Sequence, residues 1–152
     1  MKTDPFDKHI LRLLQQNNHV TSEELAEHVG LSPSAVQRRL KRLRDEKIIE
    51  ADVSIISPSV IGLDITCIVD VSLERGNSQS LEKFKASMLK CSAVMQCYYV
   101  TGSYDFVLIV NTQTMQDYEA FTNKWLLDNA NVKHFLTHVV MDKVKVGYSI
   151  VI

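Results

Sequence analysis

The segment SPSAVQRRLKRLRDEK, residues 32–47, groups side chains able to read a polyanion. Between Pro33 and Lys47 six basic residues (Arg38, Arg39, Lys41, Arg42, Arg44, Lys47) stand against two acidic ones (Asp45, Glu46), while residues 1–60 balance at nine against nine. The net charge of the chain is −1, so the positive charge is a local footprint and not a general property. On a helix with Val36, Leu40 and Leu43 turned inward, Ser34, Gln37, Arg38 and Lys41 turn outward. Arg and Gln can make paired contacts with guanine and adenine edges in the major groove of double-stranded DNA. Lys and Ser suit phosphates or looser base contacts. Arg39 and Arg42 flank the apolar seam and are expected to reach phosphates, and Ser32 caps a helix N-terminus that can face the same backbone. A basic run alone is usually a solvated helix face, so its neighbours must decide.

The second stretch is YYVTGSYDFVLIV, residues 98–110. Two strand-like runs meet at Gly102-Ser103-Tyr104-Asp105, and Asp105 sits directly against Phe106, Val107, Leu108 and Ile109. A charge at the edge of an apolar sheet is costly unless something satisfies it. Gly, Ser and Asp dominate turns, and on the residues alone an ordinary hairpin is the simpler account.

Other chemistry is sparse. Cys67, Cys91 and Cys97 form no CxxC pair and read as small buried hydrophobes in a reducing compartment. His134 and His138 would invite a metal on a helix, but on a strand their spacing is about 13 Å, too long for one ion. Ser103 has no His/Asp pattern beside it, no Gly-rich phosphate loop occurs, and neither an enzyme nor a metal site is expected. Met88, Met95, Met115 and Met141 read as packing. No apolar run approaches a membrane span and the N-terminus MKTDPFDKH lacks a signal-peptide core, so a cytoplasmic protein with no membrane partner is expected.

The elements that position the basic segment follow from caps and periodicity. Asp4-Pro5 opens a first helix with Phe6, Ile10, Leu13 and Leu14 in one stripe, ending near Asn17. Thr21-Ser-Glu-Glu24 is a capping box for a short second helix, and Gly30 ends it. Only Leu31 separates Gly30 from Ser32-Pro33, the start of a third helix running to about Lys47. Two short helices so tightly joined cross steeply. Ala26, Gly30 and Val36 suit that crossing, which makes the arrangement a helix-turn-helix.

Beyond an extended piece at Ala51–Ser57 the pattern changes to strands 64–74, 94–101, 104–112 and 132–146 with helices 79–90 and 114–128. The order βαββαβ is ferredoxin-like, giving an α+β chain. The expected domains are 1–50 for helix-turn-helix, 51–63 for an extended wing or linker, and 64–152 for the ferredoxin-like part. Two helices cover one sheet face, yet strand 104–112 is apolar on both sides, so self-association through the open face is expected.

Taken together, LSPSAVQRRLKRLRDEKII, the opening helix, VTGSYDF and the late VVMDKVK resemble the Lrp/AsnC (feast/famine) transcription regulators over essentially the whole chain. The resemblance implies an N-terminal winged helix-turn-helix and a C-terminal βαββαβ domain. It also implies homodimers that assemble to octamers, and an amino-acid effector, with no other cofactor, bound between subunits. The matching effector positions are Gly102, Ser103, Tyr104 and Asp105, with Thr137 and His138. There Asp105 would accept from an ammonium group and turn N–H groups would meet a carboxylate. This chain carries Lys47 where family members often have Gly, and ends GYSIVI where many end in a Leu-Pro pair. A DNA-bridging protein without an effector is one alternative function. A decarboxylase of haem biosynthesis, a group of enzymes similar to this family, is another, but it would not need the basic helix kept here.

Overall fold

In a computed structural model, which describes residues 3–74 and 78–152, the chain forms two compact units. The first comprises the described residues up to Ile55 together with Lys145–Ile152; the second is Ile56–Val144.

The first unit contains α1 (Pro5–Gln16), α2 (Ser22–Val29) and α3 (Pro33–Asp45). Each start is fixed by a side chain. Asp4 accepts from the Asp7 N–H at 2.8 Å while the Asp7 carboxylate accepts from the Asp4 N–H at 3.0 Å. Thr21 and Glu24 reciprocate in the same way, and Ser32 caps the Ala35 N–H at 3.3 Å. Gly30 closes α2 with φ 72°. Ile10, Leu25, Ala26, Val29, Val36, Leu40 and Leu43 form the core, so Ala26 and Val36 lie in the α2–α3 crossing as their sizes require.

The end of α3 shows what replaces the missing glycine. Lys47 adopts φ 56°, with its N–H donating to the Arg44 carbonyl at 3.0 Å and the Ile48 N–H to Leu43 at 2.9 Å. These are the two bonds of a Schellman closure, and Ile48 packs on the core beside Leu43. A left-handed lysine costs roughly 1–2 kcal/mol more than glycine would in that conformation. The C-terminal tail returns to α1: Gln15 accepts from the Ile150 N–H at 2.7 Å and donates to its carbonyl at 3.1 Å.

The second unit begins with a 3₁₀ turn, Pro58–Ile61. It continues as β1 (Ile65–Leu73), α4 (Ser78–Lys90), β2 (Val94–Tyr99), β3 (Phe106–Thr112), α5 (Met115–Thr122) and β4 (Val132–Val139). A π-helical stretch, Asn123–Leu127, extends α5. The antiparallel sheet has the order β2-β3-β1-β4, the ferredoxin-like arrangement. Cys67, Val69, Val71, Phe106, Leu108 and Val110 face the helices, where Phe84, Met88, Tyr118 and Phe121 cover them. On the opposite face Ile68, Val107 and Ile109 are half-buried, and Asp70 meets His138 at 3.0 Å.

Residues 51–57 form neither helix nor strand. One expectation changes. The last strand stops at Val139 and not at 146: Cys67 pairs with Val139 and the Val140 N–H reaches the Thr66 carbonyl, after which β1 has almost no residues left to pair.

Candidate DNA-reading surface and ligand cleft

Helix α3 presents two stripes. Ser34, Gln37, Arg38 and Lys41, spaced as one helical face, are all exposed. Ser34 hydrogen-bonds Ser32 at 3.2 Å, and Lys41 reaches Asp45 one turn on at 2.5 Å. Among the described residues no side-chain partner engages Gln37 or Arg38, leaving Arg38 as the unpaired cation of that stripe.

The second stripe is held differently. Arg39 and Arg42 turn their guanidiniums to α1. Arg39 Nη1 donates to Asp4 at 2.6 Å and to Asp7 at 2.8 Å, and Arg42 Nη2 donates to Asp7 at 2.5 Å. The Arg39 guanidinium also lies 5.5 Å from the centre of the Phe6 ring. The Asp7 side chain is wholly buried. Burial alone would raise its pKa. The capping bond from Asp4 and the two guanidiniums outweigh that and hold the carboxyl below its ordinary value near 4. Its folding contribution is therefore complete above that value and fades as pH falls through the depressed one.

In the second unit the hairpin closes as Val100 N–H donates to the Asp105 carbonyl at 2.8 Å and Asp105 N–H to Val71 at 2.9 Å. Gly102 carries φ 134°, which side chains rarely tolerate. The awkward acid has a structural partner: Asp105 Oδ2 accepts from the Leu73 N–H at 2.8 Å, where a bulge between Ser72 and Leu73 breaks the β1–β4 register. Asp105 thus satisfies a strand-end donor that the ladder leaves behind.

Beside it lies a cleft of about 470 Å³, whose lining includes Asp105, Ser103, Ser72, Glu74, Lys133 and His134. Carboxylates and an ammonium around one cleft suit a ligand bearing both charges. The Ser72 Oγ is buried without a hydrogen-bond partner among the described residues. Tyr104 stacks edge-on with His134, ring centres 5.8 Å apart.

Thr137 and His138 do not join this group. Thr137 pairs across from Val69 on the helix-covered face, where its hydroxyl meets Tyr118 at 2.5 Å. His138 lies opposite Ile68 on the open face and contacts Asp70. Neighbouring strand residues point to opposite faces, so the two cannot grip one ligand within a subunit. Lys133 and His134 line the cleft, brought there by the bulge and by the β4 pairing, neither of which local sequence displays.

A helix-turn-helix joined to a four-stranded α+β unit with a charged cleft defines a class of DNA-binding regulator with a ligand-binding domain. Residues 3–50 match a winged helix-turn-helix DNA-binding model, and residues 66–150 match the Lrp/AsnC ligand binding domain model. The chain belongs to the Lrp/AsnC family of transcription regulators. It is 50% identical over 150 residues to an uncharacterised HTH-type transcriptional regulator of Sinorhizobium fredii, covering 99% of this chain and 89% of that one. It is 30% identical to the leucine-responsive regulatory protein of Salmonella typhimurium, over 98% and 91% of the two chains. Among solved structures, a transcriptional regulator of Neisseria meningitidis in complex with L-methionine superposes with a TM-score of 0.92. That match has 32% identity and covers 98% of this chain and 96% of the other.

Proposed function

We propose that this regulator binds specific DNA sequences and that a free amino acid, held in the cleft beside Asp105, changes its DNA affinity or assembly state. The observation that carries the reading is the cleft itself, where acidic Asp105 and Glu74 and basic Lys133 line one cavity. An ammonium group would meet Asp105 while a carboxylate meets Lys133. The Neisseria regulator's complex with L-methionine supports an amino acid as the ligand class.

On the DNA side, residues 1–50 read the duplex through Ser34, Gln37, Arg38 and Lys41, with Ser32 at the helix N-terminus near the backbone. Residues 51–63 link to the effector and oligomerisation region. The protein acts in the cytoplasm as a homodimer, further assembled to an octamer, and pairs of α3 helices meet half-sites a whole number of helical turns apart. The exposed apolar residues of the open sheet face, among them Tyr98 and Leu136, support self-association. A ligand changes DNA affinity by binding one assembly state better than another.

A thermal-shift screen of the twenty amino acids tests the ligand reading. At 100 times its dissociation constant a site ligand stabilises by about 2.7 kcal/mol through mass action, a clear rise in melting temperature. At least one amino acid is expected to give such a rise; twenty unchanged melting curves at millimolar concentration would count against the cleft.

A further inference from the structure

We propose that Asp7 is a positioning residue for DNA recognition, which holds Arg39 and Arg42 away from the phosphates so that the Ser34–Lys41 stripe does the reading. The inference rests on the DNA-binding reading of α3 and assigns a residue of α1 a part in specificity. Asp7 lies 32 and 35 residues from its two arginines in sequence, so the contact is made by the fold and not by local helix charge.

The geometry commits both carboxylate oxygens. Oδ1 accepts from Arg39 and Oδ2 from Arg42, while Asp4 takes a further bond from Arg39. Arg42 remains 42% exposed and Arg39 24%, so both lie near the surface without being free to extend from it. Pulling either guanidinium away would leave a wholly buried carboxylate short of one of its two charged partners, which costs more than breaking a surface pair. By contrast, the exposed Lys41–Asp45 pair is weak and yields readily to a phosphate.

The consequence is a limit on indiscriminate binding. Backbone charge neutralisation supplies essentially all non-specific affinity, while base contacts supply discrimination. Two arginines withheld from the backbone lower the first without touching the second. The Asp7 clamp also sets the rotation of α3 about its axis, because two consecutive turns of that helix are bound to one point on α1.

The test uses the full chain and two duplexes: one selected by the wild-type protein from a random-sequence pool, and a scrambled version of it. Affinities are measured across a salt series. Asp7→Asn keeps an acceptor of the same shape but removes the charge that holds the arginines, leaving Arg42 without an ion pair and Arg39 with only the partly exposed Asp4. It is expected to tighten binding to the scrambled duplex and to lower the selected-to-scrambled ratio. The slope of log affinity against log salt should steepen by about 1–2, since each added phosphate contact contributes about 0.9. An equal loss on both duplexes with an unchanged slope would mean a merely structural role and overturn the inference.

The triple variant Asp7→Asn/Arg39→Gln/Arg42→Gln leaves no buried charge and decides the case in which Asp7→Asn does not fold. The wild-type slope is expected from it, and a slope shallower by about 2 would show that both arginines reach phosphates in the native protein. If the wild type selects no duplex at all, the DNA-binding reading fails first.

Discussion

Arg38→Ala is expected to weaken binding to the selected duplex by roughly 1–3 kcal/mol, about 5- to 150-fold, with a much smaller loss on scrambled DNA. The size follows from its surroundings. Of the six basic residues between Pro33 and Lys47, Arg39 and Arg42 are held by Asp4 and Asp7, Lys41 by Asp45, and Arg44 by Asp52. Arg38 is exposed on the outward stripe with no ion-pair partner among the described residues, and a guanidinium can meet guanine O6 and N7 together. Because Arg38 supports nothing inside the fold, thermal unfolding of the variant should match the wild type. Equal losses on both duplexes in a binding titration would reassign Arg38 to the backbone.

The second large effect is expected at Asp105. Replacement by alanine would remove the acceptor for the Leu73 N–H as well as the charge, confounding ligand response with strand-end stability. Asp105→Asn separates the two, since its amide oxygen can still accept from Leu73. Losing a charge-assisted bond to an ammonium group should cost about 1.5–3 kcal/mol, a 10- to 150-fold weaker amino-acid affinity. DNA affinity without ligand should stay as it was. Calorimetric titration with the amino acid found in the screen measures the difference, and undiminished affinity would return Gly-Ser-Tyr-Asp to the role of a turn.

The helical unit was legible because its boundaries are written in local chemistry. Thr21 with Glu24, Gly30, and Ser32-Pro33 each act within a few residues of themselves, so composition and spacing suffice. The βαββαβ order was legible from the spacing of apolar runs and helical stripes along the chain.

Contacts made across long stretches of sequence were not. Asp7 reads locally as a first-turn acid favourable to a helix dipole, whereas its decisive partners, Arg39 and Arg42, lie on another helix. The composition of the cleft depended on register. A bulge at Ser72/Leu73 and the pairing of His134 with Ser72 bring Lys133 and His134 beside Asp105 and leave Thr137 under Tyr118. The end of β4 was set by where β1 begins and not by its own apolar pattern. Lys47 is a mixed case: the departure from glycine was visible in the sequence, and the fold answers it with a left-handed lysine inside an otherwise intact closure.

The central claim is that one chain couples a ligand cleft to a DNA-reading helix. Its most direct test is a titration of the selected duplex with the wild-type protein, with and without a saturating amount of the amino acid that raises its melting temperature. A shift in apparent DNA affinity of about 5-fold or more, in either direction, is predicted, and Asp105→Asn should abolish it at the same ligand concentration. Superimposable curves, with the amino acid demonstrably bound, would contradict the claim.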